Sequence, residues 1–250
     1  MDKIDYNAIK VIFFDVGNTL MSIDYEMVCR ELDKNGIHCS ASILQRADAS
    51  ARPIISSEVN KIKKDPSTDE RVFLFTRIIE QLPIEIIEHL DSTKQVAQNL
   101  VSILFNEENV MRLWSYVLPD TEEALAEFQA MGFHMHVIGN ADGLLEQRLV
   151  EANLRKYFGI ILDSHIVQIE KPDPRIFNIA LEAANCEPQE ALYVGDIYEI
   201  DIIGAKTVGM QAILIDPFSD YEGIDCERIP DLLALAEKMR SVNNQYAIRP

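Results

Sequence analysis

Positive charge is scarce in this chain of 250 residues: 23 lysines and arginines face 41 aspartates and glutamates, a net of −18. Such a field repels phosphate backbones and anionic headgroups, which argues against nucleic acid and membrane surfaces as partners. It also means that a phosphorylated substrate has to be drawn in locally, by a metal, a lysine or backbone amides. Cysteine is sparse too. Cys29, Cys39, Cys186 and Cys226 show no CxxC spacing, so neither a zinc site nor a disulfide framework is indicated and reduced structural thiols are expected. No apolar run approaches the ~18 residues that span a bilayer, and no basic-then-apolar leader pattern opens the chain. A cytoplasmic protein is the expectation. Repeats and low-complexity segments are lacking. A hydrophobic content of 48% and a charged content of 26% are those of an ordinary globular protein, long enough for one large α/β domain or a core with an insertion.

What is present begins with five short apolar runs: Val11–Phe14, Met135–Ile138, Ile160–Leu162, Ala191–Val194 and Ala212–Ile215. Helical patterns separate the later ones. "TEEALAEFQAMG" opens on a Thr cap with an acidic first turn and stops at Gly132. "DPRIFNIALEAANC" puts Ile176, Phe177, Ile179 and Ala180 on one stripe. Alternation of this kind predicts right-handed crossovers and a Rossmann-like parallel sheet of about five strands, covered by helices on both faces. From Met21 to Ser115 there is no convincing strand. "YEMVCRELDKNG", "SILQRADASARP", "DERVFLFTRIIEQL" and "KQVAQNLVSILF" read as amphipathic helices, a block too long for an ordinary crossover. The expected organisation is a core of residues 1–20 and 116–250 with an inserted helical cap of residues 21–115.

In open parallel sheets, ligands bind beyond the carboxyl ends of the strands. There the first run delivers Asp15, the second Gly139 and Asn140, the third Lys171, and the fourth Asp196 and Asp201. Taken singly, each aspartate reads as a helix N-cap and Lys171 as a loop lysine. Taken together, three carboxylates on one sheet edge repel one another unless a divalent cation and the lysine neutralise them. Hard oxygen ligands without nearby histidine or cysteine favour Mg²⁺. A site neutralised in this way accepts a phosphate dianion, and a carboxylate facing phosphorus there is a competent nucleophile.

The ordered set "FFDVGNTL", "VIGNADG", "EKPDPRIF" and "YVGDIYEID" resembles the haloacid dehalogenase-like hydrolase superfamily, in the subgroup with a helical cap after the first strand. The resemblance implies that Asp15 is the nucleophile and that Asp196 and the Gly17 carbonyl are metal ligands. Asp201 would complete the acidic pair, and Lys171 would bind nucleophile and phosphate charge together. The implied activity is Mg²⁺-dependent hydrolysis of a small phosphorylated metabolite through an aspartyl phosphate, with Gly139 and Asn140 at the phosphate.

Two positions depart from the pattern. Gly17 stands where phosphatases of the family usually carry an aspartate serving as general acid and base, and Gly139 where they usually carry Ser or Thr. A positioned acid/base contributes ~10²–10⁴ in rate, and its loss weighs most on alkyl phosphates, whose alkoxides leave with a proton. Retention of Asp196 and Asp201 disfavours metal-free dehalogenation. The alternatives are a catalytically silent relative that binds a phosphometabolite or a protein, and a phosphonate-cleaving enzyme using a cap lysine. Lys61, Lys63 and Lys64 nevertheless read as a solvated charge run. His134 and His136 read as packing or rim residues, Arg52 and Arg71 as surface arginines within the cap, Trp114 as hinge packing, and Tyr198 and Glu199 as residues of the strand-four loop.

Overall fold

A computed structural model describes residues 3–65 and 67–247. The chain divides into two compact units, Met1–Ser22 with Val117–Pro250, and Ile23–Tyr116.

The first unit is built on six parallel strands: β1 (Val11–Phe14), β2 (His134–Gly139), β3 (Ile161–Asp163), β4 (Ala191–Gly195), β5 (Gln211–Ile215) and β6 (Glu227–Ile229). Their order is β3-β2-β1-β4-β5-β6. The sixth, at the edge, is the three-residue "ERI", which has no apolar run to announce it. Both faces of the sheet are covered, which is why its strands read as continuous apolar runs. On one face Ile12, Phe14, Val137, Leu192, Val194 and Ile213 pack with α1 (Thr121–Ala130) and the C-terminal helix Leu232–Ala247. On the other, Val11, Phe13, Ile138, Tyr193 and Leu214 pack with α2 (Pro174–Ala184). Burying side chains of this size contributes roughly 1.5–3 kcal/mol each.

Helix α1 is capped differently from its sequence. Asp120 occupies the N-cap in a left-handed conformation, φ 60°, while Thr121 lies inside the helix and donates its hydroxyl to the Leu20 carbonyl at 3.2 Å. Helix α2 follows the sequence signals closely. Asp173 accepts from the Arg175 amide, Pro174 takes the first turn, and Asn185 closes the helix in a left-handed turn.

His136 is a core residue of β2. It packs against Phe13 with ring centroids 5.3 Å apart, and its Nδ1 accepts from the Ile160 amide at 3.0 Å, which puts the proton on Nε2. Burial, with a smaller push from His134, lowers its pKa to about 4. The folded state therefore binds fewer protons than the unfolded chain between pH 6.5 and 4, and this contribution to stability is lost as pH falls through that window, about 1–3 kcal/mol in all. His136→Phe is expected to be less stable at pH 7.5 but to decline less steeply towards pH 4.5. Urea midpoints at both pH values measure the difference, and equal slopes in variant and wild type would refute it.

The second unit is helical: Tyr25–Asp33, Ala41–Ile62, Glu70–Glu80, Ile84–Ile87, Thr93–Leu104 and Val110–Leu113. The helix begun by "SILQRADASARP" does not stop at Pro53 but runs on to Ile62. Leu44, Ala47, Ala51, Ile55 and Val59 form a buried stripe along its whole length, and that burial offsets the ~3 kcal/mol a proline costs in a helix interior. Asp48 is buried in this unit, accepting from Tyr25 Oη at 2.8 Å and from Arg52. Among the described residues no helix is long and apolar enough to cross a membrane.

Candidate active site

Strand order reverses at β1, whose neighbours are β2 on one side and β4 on the other. This is the switch point at which open α/β sheets leave a crevice beyond the strand ends. Phe14 is in register with both Val137 and Val194, and the Asp15 amide donates to the Val194 carbonyl at 2.9 Å. Asp15 is thereby fixed one step past the end of the pairing, level with Ile138 and Gly195 on the flanking strands. After it the backbone folds back, with the Leu20 and Met21 amides both donating to the Val16 carbonyl at 3.0 Å, and Asn18 takes up φ 51°.

Lys171 lies at the centre. Its Nζ is 2.7 Å from Asp15 Oδ1, 2.7 Å from Asp201 Oδ1 and 2.7 Å from Tyr193 Oη, and its side chain is 1% exposed. The peptide bond to Pro172 is cis. Burial alone would discharge the ammonium, but Asp15 and Asp201 override it and hold the pKa well above the ordinary lysine value. One cation between two carboxylates leaves the pair undercompensated. Burial, helped by Asp201 and opposed by Lys171, pushes Asp15 up to about 6.

Asp201 is delivered by the wide turn Tyr198–Ile202, in which the Ile203 amide reaches back to the Tyr198 carbonyl. Its Oδ2 accepts from the Ile197 amide at 2.9 Å. A Cβ on Gly195 would lie 2.6 Å from that of Asp201, so only glycine permits the approach. Asp196 follows directly, its carbonyl held by Tyr221 Oη at 2.8 Å. Asp15, Asp196 and Asp201 each offer a carboxylate oxygen within 4.8 Å of the others. Three hard anionic oxygens against one ammonium suit a small divalent cation.

Several residues act here that sequence reasoning did not single out. Tyr193, inside an apolar run, looks like sheet filling, yet its hydroxyl accepts from Lys171 and donates to the Ile138 carbonyl at 3.0 Å. Asp163, ending β3, accepts from the Gly143, Leu145 and His165 amides and so shapes the loop after β2. Asn140, expected at the phosphate, spends its side chain on Lys171: Nδ2 donates to the Lys171 carbonyl at 2.9 Å, and Oδ1 accepts from its amide at 2.8 Å. The side chain positions the lysine, and the Asn140 backbone is what remains for a ligand.

Where the family pattern has a hydroxyl, Gly139 faces Leu145: a Cβ at position 139 would fall 2.8 Å from Leu145 Cδ2. Gly139→Ser is therefore expected to cost about 1–3 kcal/mol by overpacking. With Leu145→Ala the pair should show a favourable coupling above ~1 kcal/mol in a double-mutant cycle read by chemical denaturation.

The remaining candidates have local settings of their own. Arg71 pairs with Asp69 on the surface at 2.7 Å, Arg52 pairs with buried Asp48, and Lys61 and Lys64 are exposed around the end of the Ala41–Ile62 helix. Trp114 is half-buried after Val110–Leu113. Neither histidine of β2 nor Glu199 joins the carboxylate cluster.

The family model described as haloacid dehalogenase-like hydrolase matches residues 9–209. The haloacid dehalogenase-like hydrolase domain-containing protein 3 of Xenopus laevis is 27% identical over 84% of this chain and 85% of its own. A phosphoserine phosphatase of Thermus thermophilus is 34% identical over 59% of this chain and 57% of its own. Among solved structures, the HAD-hydrolase YfnB of Bacillus subtilis, bound to magnesium, superposes with a TM-score of 0.63 over 92% of this chain and 98% of its own. At 15% identity that likeness speaks to the fold alone.

Proposed function

The chain belongs to the haloacid dehalogenase-like hydrolases, and on that premise we propose that it is a phosphatase of small phosphorylated metabolites that works through an aspartyl phosphate on Asp15. The observation that carries the reading is the 2.7 Å contact of Lys171 with Asp15 inside a cluster of three carboxylates at the switch point. Phosphatases among the relatives support it, from Thermus thermophilus and from Pyrococcus furiosus, the latter a glyceraldehyde 3-phosphate phosphatase 24% identical over 92% of this chain.

Asp15, Asp196 and Asp201, with the Gly17 carbonyl, would hold a divalent cation, Mg²⁺ by their chemistry, which supplies charge neutralisation for an incoming phosphate. The chain's own residues do the rest. Lys171 engages Asp15 Oδ1, leaving Oδ2 to attack phosphorus in line as the ester oxygen departs. The ammonium also answers the charge gathering on the phosphoryl oxygens. Water then cleaves the aspartyl phosphate, returning the carboxylate and releasing phosphate. With Gly17 in place of a carboxylic acid, no side chain there protonates the departing oxygen, so acyl and aryl phosphates are the favoured substrates.

The filling of the Gly139 site by Leu145 favours a second reading, a relative that binds a phosphometabolite without turning it over. A phosphorylated-metabolite panel with Mg²⁺, run on wild type and Gly17→Asp, separates the two. The phosphatase reading expects wild-type turnover of aryl or acyl phosphates and a gain on the order of 10²-fold for alkyl phosphates in the variant. No turnover by either protein would overturn it.

A further inference from the structure

Outside the catalytic unit the fold brings together two thiols that the sequence keeps apart. Cys29 lies on the buried face of the helix Tyr25–Asp33. The chain then reverses: the Ile37 amide bonds the Leu32 carbonyl at 3.1 Å, Gly36 takes φ 78°, and Ile37 is fully buried. His38 Nδ1 pairs with Asp33 Oδ1 at 2.9 Å, and Cys39 follows, just before Ser40 caps the next helix. With the reversal pinned at these points, Cys39 Sγ stands 3.8 Å from Cys29 Sγ.

We propose that Cys29 and Cys39 are an oxidisable dithiol that closes to an intramolecular disulfide by exchange with a small-molecule disulfide. Closure would bring the two sulfurs from this contact to a bond length of about 2.05 Å. Accessibility orders the steps, because Cys39 is half-buried and Cys29 is buried. Cys39 as thiolate attacks one sulfur of R–S–S–R and expels RS⁻. Cys29 then loses its proton and attacks Cys39 Sγ, breaking the mixed disulfide and expelling the second RS⁻. The protein loses two protons and two electrons, and the reagent takes up both to become two thiols. The hydrogen bond between the sulfurs suits this order, since accepting from Cys29 lowers the Cys39 thiol below its ordinary value. A metal does not compete on geometry: among the described residues the carboxylate group at Asp15 is the one set of three that could hold an ion.

The test is incubation of the native full-length chain with oxidised glutathione, followed by alkylation and non-reducing peptide mapping. Free thiols are expected to fall from the four of the reduced chain to two, with Cys29 joined to Cys39 and with Cys186 and Cys226 alkylated. The unfolding temperature should rise by about 5 °C on closure of so short a loop. Cys29→Ser should trap a stable glutathione adduct on Cys39, whereas Cys39→Ser should react at least ~10-fold more slowly at Cys29. Four alkylated thiols after treatment, a link to Cys186 or Cys226, faster modification of Cys186 than of Cys39, or a stoichiometric Zn²⁺ held by the reduced pair would each overturn the proposal. The wild-type map decides the question even if a variant fails to fold.

Discussion

Asp15→Asn is expected to abolish phosphate hydrolysis without weakening the fold. The nucleophile is lost outright, and with it ~10⁴-fold or more of turnover on aryl phosphates, because an amide oxygen does not form the acyl phosphate. Stability should move the other way. Burial has pushed the Asp15 carboxyl up to about 6, so at neutral pH the folded state holds an anion it would rather see protonated. The neutral isostere removes that cost while its oxygen can still accept from Lys171. In chelator at pH 7 the variant should equal wild type or exceed it by up to about 2 kcal/mol, and wild type should approach it as pH falls from 6 towards 4, since the folded state takes up the proton first. Urea denaturation beside a phosphate-release assay measures both. A variant that retains turnover, or that unfolds more easily than wild type, would contradict this account of Asp15.

Lys171→Met should fail on both counts. Removing the ammonium leaves Asp15 and Asp201 facing each other across a buried space with no cation between them, and takes away the donor to the Tyr193 hydroxyl. Breaking a buried ion pair from one side costs about 3–5 kcal/mol, and activity should fall below detection. The loss can be traced to charge: Lys171→Met with Asp201→Asn should recover roughly half of the lost stability and none of the activity. Equal instability of single and double variants, measured in chelator, would mean that shape rather than charge holds the centre together.

The sequence makes the charged members of this centre visible, because Asp15, Lys171, Asp196 and Asp201 each follow an apolar run. Strand ends in a parallel sheet face the same edge, so order along the chain was enough to bring them together. Residues that act from within the runs were hidden. Tyr193 looks like any aromatic in a buried strand, and only the folded structure, with Tyr193 level with Phe13 of β1, shows its hydroxyl bonded to Lys171. Asn140 was visible but its partner was not, since the two hydrogen bonds to Lys171 cross 31 residues of chain. Strand β6 escaped because edge pairing needs no apolar pattern, and the helix through Pro53 because a packed stripe outweighs a local penalty. Cys29 and Cys39 escaped for a third reason: their approach depends on how tightly one turn closes.

Leu145 ties any change at Gly139 to a second position. A chain acquiring serine at position 139 first would push a Cβ into Leu145, and one trimming Leu145 first would open a void costing about 2–5 kcal/mol. Neither order of single changes runs downhill. Leu145 occupies the space a side chain at position 139 would need, so a hydroxyl there calls for two substitutions rather than one.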